Sequence, residues 1–201
     1  MSSELTPRCP ICSQGTLNVK SMLYSVPYFN ELAMFIMTCS SCNFTHNDIF
    51  SAESYEPTRW TLHVSKPRML NIRVVRSSSG TIRFPEFGID VEPGPAAESF
   101  ISNVEGLLYR VRPVVESAIR FADEEEEKQR GKAILEQIIS AIRGELEFTL
   151  IIEDPAGVSG ILPEDMTLVK REIIPPEEAA QLKGAPMWVD NIREEVQERK
   201  G

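Results

Sequence analysis

Two runs near the start of the chain, Leu17 to Tyr24 and Leu32 to Thr38, are rich in apolar and β-branched residues. They are separated by Ser25-Val26-Pro27-Tyr28-Phe29-Asn30. Runs of this length on either side of turn formers predict a long β-hairpin. Phe44 to Phe50 predicts a third strand, followed by the irregular stretch Ser51 to Thr58. Beyond it, Trp60 to Val64, Met69 to Arg76, Thr81 to Phe84 and Phe87 to Val91 are short and carry β-branched and aromatic side chains. They read as strands of an antiparallel sheet system. Ser77-Ser78-Ser79-Gly80, between two of them, predicts a hairpin turn.

Glu92-Pro93-Gly94-Pro95 ends the strand pattern, and a different period takes over. Ile101, Val104, Leu107, Leu108, Val111, Val115, Ala118 and Ile119 recur at helical spacing, with Pro113 placed to interrupt or kink the helix. Ala133, Ile134, Ile138, Ala141 and Ile142 carry a second helical pattern, so an αα-hairpin is expected over about residues 98–143. The acidic run Asp123 to Glu127 lies between the two patterns. A solvated loop or a first helical turn favoured by the macrodipole explains it more simply than a docking patch for a basic partner. Strand character returns at Leu146 to Glu153 and at Met166 to Ile173, which makes the helical hairpin an insertion within a β domain. Pro175-Pro176 marks a boundary before a charged tail. In that tail Met187, Trp188, Val189, Ile192 and Val196 form an apolar stripe, suited to docking on the parent domain or, in the sharper reading, to binding another chain. The expected organisation is mainly β with an α insertion: 1–52, 53–174 and a tail at 175–201. No internal repeat is evident.

Chemistry enters with the cysteines. All four fall in the first quarter of the chain, as the pairs Cys9/Cys12 and Cys39/Cys42. A Cys-x-x-Cys turn points two thiolates at one ion, and two such turns complete a tetrahedron. Gly15 follows the first knuckle and Asn43 the second, both residues that tolerate a sharp bend. The pattern predicts a zinc ribbon whose long hairpin projects beyond the metal. Four thiolates fill the coordination shell, so the ion is structural. A redox dithiol needs one pair beside a βαβ unit, and stable disulfides need an oxidising compartment. Neither condition is met by this pattern. His46, close behind Cys42, reads as a surface or hairpin histidine rather than a ligand in place of a cysteine.

Composition narrows the function. Two hundred and one residues with 42% hydrophobic content bury a core without help from disulfides. The net charge of −9 disfavours a phosphate backbone as the main partner, although Lys20, Arg59, Lys66, Arg68, Arg73, Arg76 and Arg83 supply some local positive charge. Met1-Ser2-Ser3-Glu4 does not read as a secretory signal, and Leu32 to Met37 is far short of the ~20 residues of a membrane helix. A cytoplasmic location is therefore expected. P-loop, Gly-x-Ser-x-Gly and His-Glu-x-x-His motifs are absent from the sequence. His46, Asp48 and His63 match the composition of an iron-oxygenase triad, but His46 and Asp48 stand beside the zinc knuckle, so no catalysis is expected.

Several motifs in order resemble the ZPR-type zinc-finger family. They are the two knuckles, the hairpin segment Val26-Pro27-Tyr28-Phe29-Asn30-Glu31, the run Cys39 to Asp48 with Ser51-Ala52, then Val104-Glu105-Gly106-Leu107 and Phe148 to Gly157. The resemblance implies a zinc ribbon like that of an initiation factor 2 subunit, followed by a double-stranded β-helix domain carrying a helical hairpin. Eukaryotic members carry two such modules and bind translation elongation factor 1-alpha, whose folding they assist. This single module is similar to the archaeal form. Tyr28 and Phe29, at the hairpin tip, are the expected partner anchors, because rigid aromatics bury much area at little entropic cost. Packing against the neighbouring β domain is the equal alternative for them. Asp154-Pro155-Ala156-Gly157 is explained by turn geometry, with partner contact through Asp154, Pro155 and Gly157 as the second reading. A nucleic-acid-binding ribbon of the transcription or translation machinery is the competing function.

Overall fold

The computed structural model describes residues 8–13, 17–26, 30–51, 56–94 and 97–184. Its first sheet is three-stranded, with β1 (Leu17–Val26) beside β2 (Asn30–Cys39) and β3 (Thr45–Ser51) on the other side of β2. The register is unbroken from Leu17↔Cys39 to Val26↔Asn30, so the first two strands run antiparallel over ten residues each, roughly 33 Å.

Two further sheets make the body. One holds five strands in the order β11-β4-β9-β6-β7, from β4 (Thr58–Val64), β6 (Thr81–Phe84), β7 (Ile89–Val91), β9 (Phe148–Asp154) and β11 (Val169–Ile173). The other holds three, β10-β5-β8, from β5 (Arg73–Arg76), β8 (Phe100–Asn103) and β10 (Gly160–Leu162). Alternation decides which side chains enter: Trp60, Leu62 and Val64 of β4 are buried, as are Phe148, Leu150 and Ile152 of β9, and all belong to one core. Phe84, Phe87 and Phe148 pack as three rings with centroids 5.5 to 6.0 Å apart.

Between β8 and β9 the chain inserts two helices, α1 (Val104–Phe121) and α2 (Glu125–Ile142). Asn103 caps α1 by accepting the Gly106 N–H at 2.8 Å, and Glu125, Glu126 and Glu127 occupy the first turn of α2, where the macrodipole favours acids. Val104, Leu107, Leu108 and Val111 of α1, with Ile138 and Ala141 of α2, enter the same core as the sheets. Pro113 stands on the exposed side of α1, where water can serve the carbonyl its missing N–H leaves over, and the helix runs past it. A one-turn helix, α3 (Pro176–Ala179), follows the last strand.

Several expected elements are corrected. Met69 and Leu70 lie in a 3₁₀ turn, Pro67–Asn71, because Pro67 presets its φ, and the strand begins only at Arg73. Phe87 belongs to another such turn, Pro85–Phe87, which Gly88 ends at φ 63°. Ile101 is on β8 and not on the helix. Met166 to Leu168 is likewise 3₁₀. Ser77 to Gly80 does make a tight turn, with Gly80 N–H donating to Ser77 O at 3.2 Å, but β5 and β6 on either side of it belong to different sheets. It is a crossover between layers rather than a hairpin.

Candidate metal centre and the loop behind it

At one end of the ribbon the backbone builds two knuckles. Ser13 and Asn43 take positive φ, 57° and 55°, so each knuckle carries a left-handed residue just after its second cysteine. Ser13 N–H donates to Cys9 O at 3.0 Å, Cys39 N–H to Phe44 O at 2.8 Å, and Ser41 N–H to the Cys39 sulfur at 3.4 Å. These bonds shape both turns around the sulfur atoms.

The four sulfur atoms lie within 4.8 Å of one another. Cys9 Sγ is 3.7 Å from Cys42 Sγ, and Cys12 Sγ is 3.7 Å from Cys39 Sγ. Spokes of about 2.3 Å give a tetrahedral edge of about 3.8 Å, so the spacing fits a zinc ion and is far too long for disulfides. Left as thiols, Cys39 and Cys42 are pushed in opposite directions. Cys39 is held below its ordinary value by the backbone N–H groups of Cys42 and Ser41. Cys42, although the Phe44 backbone lowers it, is pushed up to about 12 by desolvation and by the neighbouring sulfurs of Cys39, Cys9 and Cys12. A divalent cation removes that conflict. Cys9 and Cys39 are buried, Cys12 is half-buried and Cys42 is exposed.

A second constellation lies in the body. The Asp154 carboxylate, fully buried, accepts six hydrogen bonds. Three come from hydroxyls: Ser77 at 2.8 Å, Ser79 at 2.7 Å and Ser159 at 2.6 Å. Three come from the backbone N–H groups of Ala156 at 2.8 Å, Val158 at 3.0 Å and Ser159 at 2.7 Å. Gly157 takes φ 69° so that the loop can fold back on this acid, and a Cβ on Gly80 would sit 2.5 Å from Ser159 Oγ. The inter-sheet turn and the loop after β9 are thus held by one side chain.

Family models match both parts of the chain: a ZPR1 zinc-finger domain over residues 3–57 and a ZPR1 jelly-roll domain over residues 68–180. The chain belongs to the ZPR1 family. It is similar to uncharacterized ZPR1-like proteins of Methanocaldococcus jannaschii and Pyrococcus horikoshii. The first is 41% identical over 90% of this chain and 91% of the relative, the second 37% identical over 90% and 82%. The Schizosaccharomyces pombe protein named zinc finger chaperone zpr1 is 27% identical over 75% of this chain, and the match spans 34% of that longer relative. The two-sheet body is therefore the ZPR1 jelly roll, in line with the double-stranded β-helix expected, and the cysteine cluster holds the one structural zinc of the ZPR1 zinc finger.

Not all candidate residues gather at the metal. Tyr28 and Phe29 lie outside the described residues, as do Met187, Trp188, Val189, Ile192 and Val196. Val26 and Asn30, which flank the tip, pair at the ribbon end opposite the cysteines. That is the end where Leu32 and Ile49, 1% and 4% exposed, enter the jelly-roll core. Asp154, Pro155 and Gly157 are buried, which favours the turn reading of that loop over direct contact with a partner. His46 stacks on Phe44 with centroids 6.3 Å apart, Asp48 accepts the Ser99 hydroxyl at 2.7 Å, and His63 meets Glu147 at 3.2 Å. These three residues have separate partners and share no site.

Sequence reasoning missed the hub function of Asp154 and a second acid, Glu153. Glu153 accepts Arg59 Nε and Arg83 Nε, both at 2.7 Å, across the outer face of the five-stranded sheet. Alternation in β9 was the available signal, since it puts Glu153 outward beside two arginine-bearing strands.

Proposed function

We propose that the chain is a zinc-dependent binding factor that engages translation elongation factor 1-alpha and assists its folding, in the cytoplasm and by binding rather than by catalysis. The observation that supports this most is membership of the ZPR1 family through both the zinc finger and the jelly roll, together with a relative whose name is zinc finger chaperone. A closed four-thiolate site suits this reading, because such an ion fixes a surface and offers no position for substrate.

The competing nucleic-acid reading loses part of its charge in the structure. Arg59 and Arg83 are engaged by Glu153, and Arg76 is buried, donating to Gly80 O at 3.0 Å and Glu98 O at 3.1 Å. Among the described residues no helix is long and apolar enough to cross a membrane.

The test is affinity capture of the zinc-loaded chain from a lysate of its own cells, followed by binding to the purified elongation factor. The factor should co-purify and bind directly. The double substitution Tyr28→Ala with Phe29→Ala should weaken capture, since aromatic anchors of this kind cost about 2 kcal/mol or more when truncated. Recovery of ribonucleoprotein lost at high salt, without direct binding to the factor, would replace this function with the nucleic-acid one.

A further inference from the structure

The ribbon leaves one long strand at its border. β1 is the edge of the three-stranded sheet, and among the described residues no strand pairs with its outer side. Residues 18–24 are all exposed, including Val19 at 44%, Met22 at 41% and Leu23 at 69%. Natural edge strands are usually blunted by shortness, charge, proline or a bulge. β1 has ten residues, one charge at Lys20, no proline and an unbroken register.

We propose that this edge is the contact between two copies of the chain, joined by antiparallel pairing of β1 with β1 of the second copy about a two-fold axis at Ser21. The register follows from the sequence. An axis normal to the sheet keeps each face on its own side, so residues of equal parity oppose one another. With the axis at Ser21, Val19 faces Leu23 twice on one face, and four apolar side chains meet around paired serines. On the other face Lys20 opposes Met22, where its stem lies along the thioether while the ammonium stays in water, and Asn18 opposes Tyr24. Moving the axis to Lys20 puts two ammonium groups opposite each other. Moving it to Met22 sets Val19 and Leu23 against serines. Charge does not oppose the contact locally: residues 8–51 carry two basic side chains, Arg8 and Lys20, and two acidic ones, Glu31 and Asp48.

Pairing of two such strands covers less surface than the roughly 1,200–2,000 Å² of a standard interface, so the dimer is weak and concentration-dependent. This proposal goes beyond the binding function above and does not rest on it. Sedimentation of the full zinc-loaded chain at rising concentration should pass from monomer to dimer. Val19→Lys with Leu23→Lys places like charges opposite across the axis and should abolish the dimer, while zinc content and circular dichroism stay unchanged. Val19→Glu with Leu23→Lys pairs opposite charges in the same register and should restore it. A wild-type chain monomeric at every concentration overturns the proposal, even if β1 then takes up a foreign extended peptide. So does a dimer that survives the double lysine variant, or a charge-paired variant that stays monomeric.

Discussion

A carboxylate with six donors is an unusual use of one side chain, and Asp154 shows what such a residue is for. Its backbone donors cannot be served by the loop itself, because Gly157 turns the chain so that three N–H groups point inward at the acid. Replacing Asp154 with Ala leaves the Val158 and Ser159 N–H groups buried and that of Ala156 half-buried, all without this acceptor, and frees Ser77 and Ser79. Each unsatisfied buried donor costs about 1–3 kcal/mol, so the two fully buried N–H groups alone should bring a loss of roughly 2–6 kcal/mol, a large part of a typical domain's stability. The expected result is a large fall in the urea midpoint with zinc content unchanged, measured by equilibrium unfolding and metal analysis. The sequence shows Asp154 and its glycine as a turn. It does not show the serines, because Ser77 lies 77 positions earlier and only the folded chain brings it near.

The elements most legible in the sequence are those whose pattern is local. β1 and β2 announce themselves as apolar and β-branched runs on either side of turn formers, and α2 by its acids and its apolar period. Elements fail to read when a neighbour's pattern overruns them. Ile101 matches the helical period of α1, yet Asn103 caps that helix two residues later and leaves β8 outside it. β10 is three residues in a turn-rich stretch, and only its pairing with β5 makes it a strand. The outer face of the large sheet carries a consequence for acid stability. Burial raises the Glu153 carboxyl, but donation from Arg83 and Arg59 outweighs it and holds the group below its ordinary value. A carboxylate lowered in the folded state stabilises fully above the ordinary carboxylate range and loses that contribution as pH falls through its folded value. Stability followed by thermal melts should therefore hold down to that range and then drop, and Glu153→Gln should flatten the acid limb while lowering stability at neutral pH.

Ribbon and jelly roll are tied through Leu32 and Ile49, which are core residues of the body although they belong to the zinc-finger sheet. Ser99 strengthens the tie by donating its N–H to Asn47 O at 3.0 Å and its hydroxyl to Asp48. The cysteine cluster is at the far end of the same strands, so metal binding and body stability are linked through the ribbon. Cys39→Ser should lower zinc content and undo the knuckles, since structural zinc binding is folding free energy. The body should still melt cooperatively but at a lower temperature, as read by circular dichroism. An unchanged melting temperature would show that the two parts are independent. Finally, β9 is the central strand of the five, yet it arrives after the helical hairpin, late in the chain. While the protein is being synthesised, β4 and β6 stand ready with no common neighbour, and neither edge is closed until residues 148–154 have left the ribosome. A factor proposed to assist the folding of another protein thus passes through an open-sheeted stage of its own.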